Sequence, residues 1–171
     1  MRSPLSIGQI GPLADVHLLN EVFMSEFCPM EKDILRIAAR YSKEYHFYYG
    51  DSIPFEKMNN ARQAMQFAPD EKVYILIDNS ILGNAKKGMV ICDSGIYWKN
   101  MFATKTVKNH LGWEEFSKAQ IETYGKETIQ FEERALYLCS GALKQDQILD
   151  LLSRLQTLSR GHAPFSEKKT G

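Results

Sequence analysis

Two lysines between two glycines, in Gly83-Asn84-Ala85-Lys86-Lys87-Gly88, are the residues of this chain whose types and spacing come nearest to a recognised chemistry, the cradling of a phosphate. A nucleotide-binding phosphate loop needs spaced glycines that expose backbone N–H groups, a Lys-Ser/Thr pair and then a helix N-terminus. This stretch lacks the Lys-Ser/Thr pair and runs into Met-Val-Ile-Cys, which reads as a strand. It is therefore expected to be a connection between two strands, with Gly83 and Gly88 making the bends and the lysines pointing into solvent.

A local basic set remains. Lys86, Lys87, Lys99, Lys105 and Lys108, with His110, are opposed in their stretch only by Asp93, and are the candidate anion- or partner-binding residues. The next segment is the reverse, with Glu114, Glu115, Glu122, Glu127, Glu132 and Glu133 outnumbering its cations. The whole chain is neutral, since 21 basic and 21 acidic side chains cancel, so no global field holds it on nucleic acid and no nucleic-acid partner is expected.

Catalysis needs a nucleophile with a base, two carboxylates held apart, or metal ligands at helical spacing. His17 falls in a helical pattern, His46 among tyrosines, His110 in an expected loop and His162 in an expected tail. The adjacent pairs Glu114-Glu115 and Glu132-Glu133 read as strand neighbours facing opposite ways. No catalytic residue, metal set or cofactor is assigned, and the enzyme class survives only as a site assembled from distant residues. Cys28, Cys92 and Cys139 are odd in number, widely spaced and among apolar neighbours, which fits reduced buried thiols. For Cys28, beside Pro29, a reactive thiol is the alternative. No window has the run of about 18 apolar residues that a membrane helix needs, and a cytoplasmic chain is expected.

The elements that must position these residues divide at Pro69. Before it, Leu13, Val16, Leu19, Val22, Phe23 and Phe27 recur at helical spacing, as do Ile34, Ile37, Ala38, Tyr41 and Tyr45 between Met30 and His46. A third helix starts near Pro54 and buries Met58, Ala61, Met65 and Ala68. Tyr45, Phe47, Tyr48 and Tyr49 read as aromatics sealing a core or a domain junction, in preference to a base-stacking platform. After Pro69 the period becomes two: KVYILID, GMVIC and GIYWKN are strands, the last two joined by a three-residue Asp93-Ser94-Gly95 loop. LGWEEF is a further strand, AQIETYGKETIQF is a hairpin turning at Tyr124-Gly125, and ALYLC is the last strand. Ser140 is expected to cap a helix with the stripe Leu143, Ile148, Leu151, Leu152, Leu155 and Leu158, ended by Gly161.

The run LIDNSILGNAKKGMVICDSGIYWKN, with the Trp-containing segment and the Tyr-Gly hairpin after it, resembles the bacterial proteins that carry a pleckstrin-homology-like (PH-like) domain. The resemblance covers about residues 70–160. It implies a PH-like open antiparallel β-barrel capped by a C-terminal helix (70–160); with the helical N-terminal segment (1–69) and the polar, flexible tail (161–171) read from periodicity and composition, the expected chain is α+β. The resemblance also implies a scaffolding or recognition role. The expected function is a non-catalytic cytoplasmic interaction module that binds a protein partner, or its own copy as a homo-oligomer, through a barrel edge or the helical segment. The alternative is peripheral binding of anionic lipid or another phosphorylated ligand at the basic face, although the denser Lys/Arg motif of lipid-binding relatives, with its arginine, is missing here.

Overall fold

The computed structural model describes residues 30–101, 109–137 and 142–162. The helix expected over residues 13–27, together with His17, Cys28, Lys105, Lys108, Cys139, Ser140 and the tail from 163 on, lies outside them.

Helix α1 (Glu31–Ala38) places Glu31 and Asp33 in its first turn and Arg36 in its last, each sign matching the helix dipole. It buries Ile34 and Ala38, then tightens into a 3₁₀ turn (Ala39–Tyr41) that buries Tyr41. The helical pattern stops there and not at His46, because the aromatic run is taken into a sheet. Strand β1 (Phe47–Tyr49) sends Phe47 and Tyr49 to the larger core and Tyr48 to the smaller one, the alternation of a strand. Helix α2 (Phe55–Met65) has Pro54 at its N-cap and ends where Gln66 turns left-handed. Ala61 and Met65 are buried, while Ala68 lies beyond the helix and is exposed.

Strands β2 (Val73–Asp78), β3 (Gly88–Cys92), β4 (Gly95–Lys99) and β5 (Asn109–Gly112) follow β1 in an antiparallel sheet ordered β1-β2-β3-β4-β5. Cys92 pairs with Gly95, so the connection between β3 and β4 has two residues, Asp93 and Ser94, where three were expected. LGWEEF divides: Asn109–Gly112 is strand, and helix α3 (Trp113–Lys118) begins at the tryptophan, with Glu114 and Glu115 in its first turn. A second antiparallel sheet joins β6 (Ile121–Tyr124), β7 (Thr128–Phe131) and β8 (Arg134–Tyr137) in sequence order. The described residues are thus α+β, with two antiparallel sheets of five and three strands and a C-terminal helix, α4 (Gln145–Gly161).

The apolar runs of β2 and β3 lack alternation because both faces of that sheet are covered. One face, through Ile77, Met89, Ile91, Ile96 and Trp98, joins Phe131, Ile129 and Leu136 of the second sheet, α1, and the stripe Ile148, Leu151, Leu152 and Leu155 of α4 in a common core. The other face, through Leu76, Val90, Cys92 and Tyr97, packs on Ala61 and Met65 of α2. A register shift between Val73 and Ile75 lets the neighbours Tyr74 and Ile75 both enter the larger core. Tyr41 donates its phenol hydrogen to Asp150 and so ties the end of α1 to α4, and burial together with that carboxylate pushes its pKa up to about 12.

Candidate functional site

Asp78, the last residue of β2, organises the glycine-bounded loop. Its side chain is wholly buried, with Lys57 Nζ of α2 at 2.7 Å from Oδ2 and the Ser80 backbone N–H donating to Oδ1 at 3.0 Å. The Ser80 hydroxyl also donates to Oδ1 and accepts the N–H groups of Asn84 (2.9 Å) and Ala85 (3.1 Å). Lys57 reaches on to the Gly83 carbonyl. Burial on its own would raise the Asp78 carboxyl, but the hydrogen bonds from Lys57 and Ser80 outweigh it and hold the group below the usual carboxylate range. Lys57 is likewise held above its ordinary value, since the Asp78 contact outweighs burial.

The loop's backbone N–H groups at residues 84 and 85 are therefore spent on Ser80, and none is presented to a phosphate. Gly88 closes the loop at φ +136°, where a Cβ would stand 2.0 Å from the Ile77 carbonyl oxygen, so only glycine fits the register with β2. The strand-connection reading holds for this stretch.

Of the basic set, Lys86 is exposed, and Lys87 is half-buried close enough to Lys99 that burial, then the Lys99 charge, lowers its pKa. Lys99 donates to the Ala64 carbonyl at 3.2 Å, at the end of α2. Lys87 and Lys99 are thus brought together, with Lys99 also serving to fasten α2. Lys105 and Lys108 lie outside the described residues.

The carboxylate pairs are not on strands. Glu114 and Glu115 stand in a helical turn, bound to Lys118 at 2.8 Å and to Arg134 respectively, and Glu132-Glu133 form the turn between β7 and β8. His110 lies on β5 and not in a loop, stacked on Tyr97 at 4.1 Å between ring centroids. His162 caps α4, and His46 stacks on Tyr45. Cys92 is buried, and burial raises its thiol pKa, so it is held as the inert thiol. Among the described residues no group of three His, Cys, Asp or Glu could hold a metal ion, and no helix is long and apolar enough to cross a membrane.

The four sheet edges differ from one another. At β1, the Tyr49 N–H donates to Ser52 Oγ at 3.1 Å, and that hydroxyl donates to the Tyr49 carbonyl at 2.6 Å, so the outward groups of Tyr49 are closed by the strand's own downstream turn. At β5, Arg134 donates to the His110 carbonyl. At β8, the Asn100 carboxamide acts like a strand residue: Nδ2 donates to the Ala135 carbonyl at 2.8 Å and Oδ1 accepts the Tyr137 N–H at 2.9 Å. Trp98 Nε1 adds a second bond to Ala135 at 3.2 Å, and Asn79 Nδ2 reaches the Tyr137 carbonyl at 3.4 Å.

Strand β6 has no such cap. The Glu132 N–H donates to the Gln120 carbonyl at 3.3 Å, and antiparallel alternation then aims the backbone of Gln120, Glu122 and Tyr124 at β7 and that of Ile121 and Thr123 away from it. Among the described residues nothing takes up the N–H and C=O groups of Ile121 and Thr123. The open stretch ends at Gly125, whose carbonyl accepts Gln145 Nε2 from α4 at 3.2 Å. On the solvent side of β6 runs a groove of about 590 Å³, lined by Glu122, Gln130, Glu132 and Glu133 with Lys118 and Arg134. Tyr124 stands beside it, 69% exposed.

This edge was not visible as a site in the sequence. The hairpin was legible, but which arm is outermost depends on strand order, and the three caps elsewhere are single polar residues without a local signature. Comparison with protein-family models, with curated proteins and with solved structures gave no match to this chain.

Proposed function

We propose that the chain is a non-catalytic interaction module that adds an extended protein segment to its second sheet along β6. The observation that carries this reading is the contrast between edges: β1, β5 and β8 each carry a side-chain cap on outward backbone groups, whereas among the described residues nothing caps Ile121 and Thr123 of β6. An open edge is a template for another strand, and main-chain bonds supply affinity while alternate side chains supply selectivity. A PH-like domain is the fold proposed for residues 70–160. It is supported by the order of β2 to β8, seven antiparallel strands followed by the covering helix α4, with β1 as an added strand. A cytoplasmic location goes with this reading. Lys57 with Asp78 and Tyr41 with Asp150, groups whose pKa values are shifted, are committed to internal pairs, which fits a structural role for them.

The test uses Thr123→Pro. The Thr123 N–H points outward, so proline there removes an edge donor and no ladder bond, and an edge strand tolerates it. Wild-type chain as bait in native lysate is expected to retain a stoichiometric protein that an equally stable Thr123→Pro chain loses. Were the partner a second copy, sedimentation would show a wild-type dimer that the variant does not form. A partner retained equally by both chains would overturn the reading.

A further inference from the structure

We infer that the occupant of the β6 edge is a basic extended segment of a different protein, with Lys or Arg at alternate positions, and not a second copy of this chain; the inference rests on the strand-addition reading above. Ile121 packs against the larger core, and the exposed Thr123 shares its side of the strand; Glu122 lines the groove on the other side, with Tyr124 next along that side. A strand hydrogen-bonded to Ile121 and Thr123 would place its alternate side chains beside Glu122 and Tyr124, and the residues between them over Ile121 and Thr123.

The charge of that outer face is set. Lys118 is held by Glu114 at 2.8 Å, and Arg134 is divided between Glu115 and the His110 carbonyl. Among the described residues no cation pairs with Glu122, Glu132 or Glu133. Among the described residues Glu122 has only the Gln120 amide, at 2.7 Å. A cation opposite Glu122 would meet these carboxylates, and the next cation along would lie against the exposed Tyr124 ring, a favourable partner for it. Inward positions call for β-branched or apolar residues against Ile121 and Thr123.

A second copy fits this edge poorly. Antiparallel self-pairing that keeps inward residues inward sets Glu122 directly opposite its own copy, or one step on, diagonal to it. Either register lays two acidic grooves side by side, and like charges opposite one another destabilise the pairing.

The experiment selects a random octapeptide library on three immobilised chains: wild type, Thr123→Pro, and the doubly reversed Glu122→Lys/Glu133→Lys, whose replaced side chains are both in or beside solvent. Wild type is expected to enrich peptides with Lys or Arg at alternate positions and β-branched or apolar residues between. Their binding should fall by about tenfold on charge reversal, as for the loss of close interfacial charge pairs, and should weaken with added salt. Thr123→Pro should enrich none of them. Enrichment on wild type of peptides without alternate cations, lost on Thr123→Pro, would overturn the basic-segment inference and leave strand addition standing. Enrichment that Thr123→Pro does not reduce, or none on wild type, would overturn strand addition itself.

Discussion

Lys57 of α2 and Asp78 of β2 form an ion pair of 2.7 Å with the carboxylate fully buried and the lysine 19% exposed, joining the second helix to the start of the glycine-bounded loop. Removing one partner leaves the other charge without compensation, which costs more than the pair contributes. Lys57→Met is expected to destabilise the chain by about 3–5 kcal/mol, and the double change Lys57→Met/Asp78→Leu by less than Lys57→Met alone. Urea denaturation of Lys57→Met, Asp78→Leu and the double variant would decide it, and additive losses would show that the pair is not a unit.

The same pair predicts a pH profile. The folded Asp78 pKa is depressed, so its contribution is complete above the unfolded carboxylate range near about 4 and is lost as pH falls through the lower folded value. Lys57 is raised, so its contribution is complete below about 10.4 and is lost only as pH rises through the higher folded value. Stability between those limits should be flat with respect to this pair. In Lys57→Met the acid limb should move to higher pH, because the buried carboxylate then protonates more easily. An acid limb that stays in place in that variant would show that Lys57 does not hold Asp78 ionised.

Gly88 and Gly125 share a left-handed or neighbouring backbone and differ in their surroundings. A Cβ at Gly88 would lie 2.0 Å from the Ile77 carbonyl oxygen, backbone that cannot yield without losing the β2–β3 register, whereas nothing stands within 4 Å of one at Gly125. Gly125→Ala should cost only the strain of φ +61°, about 1 kcal/mol, and Gly88→Ala several times that. Equal losses by thermal melting would remove the steric argument.

The parts legible in the sequence were those whose cause is local. The glycine-bounded loop, the Tyr124-Gly125 hairpin and the α4 stripe declared themselves through turn residues and period. Strand β1 did not, because Phe47, Tyr48 and Tyr49 acquire their alternation only by pairing with Ile77, Leu76 and Ile75. The helix at Trp113 was read as strand because Glu114 and Glu115, which serve its N-terminus, look the same as exposed strand residues. The candidate site was the least legible: the basic set was readable as charge, but an open edge is defined by strand order and by where Ser52, Arg134 and Asn100 reach.

Leu152 tests whether α4 belongs to the common core. Its side chain is fully buried among residues of both sheets and α1. Leu152→Ala should cost about 2–5 kcal/mol through lost contacts and the cavity left behind, and Leu152→Asp should leave the chain unfolded, since a carboxylate there has no partner. Unchanged far-UV dichroism and melting for Leu152→Asp would detach the helix from the core.

The basic loop gives a prediction for anionic membranes. If Lys86 and Lys87 acted with Lys99, Lys105 and Lys108 as one lipid site, each removed charge would weaken binding to anionic vesicles by about 1 kcal/mol. Lys99 is engaged with the Ala64 carbonyl, and burial beside Lys99 disfavours the charged form of Lys87. Wild type is therefore expected not to sediment with phosphatidylserine vesicles at physiological salt, and Lys86→Ala/Lys87→Ala to behave the same. Salt-sensitive sedimentation of wild type, lost in the double variant, would establish the lipid reading in place of the one argued here.

Asn100 provides a direct comparison between a closed edge and an open one. Its carboxamide fills both the donor and the acceptor position that a neighbouring strand would offer to Ala135 and Tyr137. Asn100→Ala removes both bonds, at about 1 kcal/mol each, and leaves β8 with the Trp98 and Asn79 contacts alone. The Tyr137 N–H would then be exposed, since neither remaining contact can accept it, and Tyr137 is itself 51% exposed. A second unpaired edge favours association between sheets, so Asn100→Ala should melt earlier and show concentration-dependent self-association by sedimentation. Combining it with Thr123→Pro should leave that association in place, because the new edge and the β6 edge belong to opposite sides of the second sheet. Loss of the association in the combined variant would mean that β8 never became an edge and that the effect of Asn100 passes through β6.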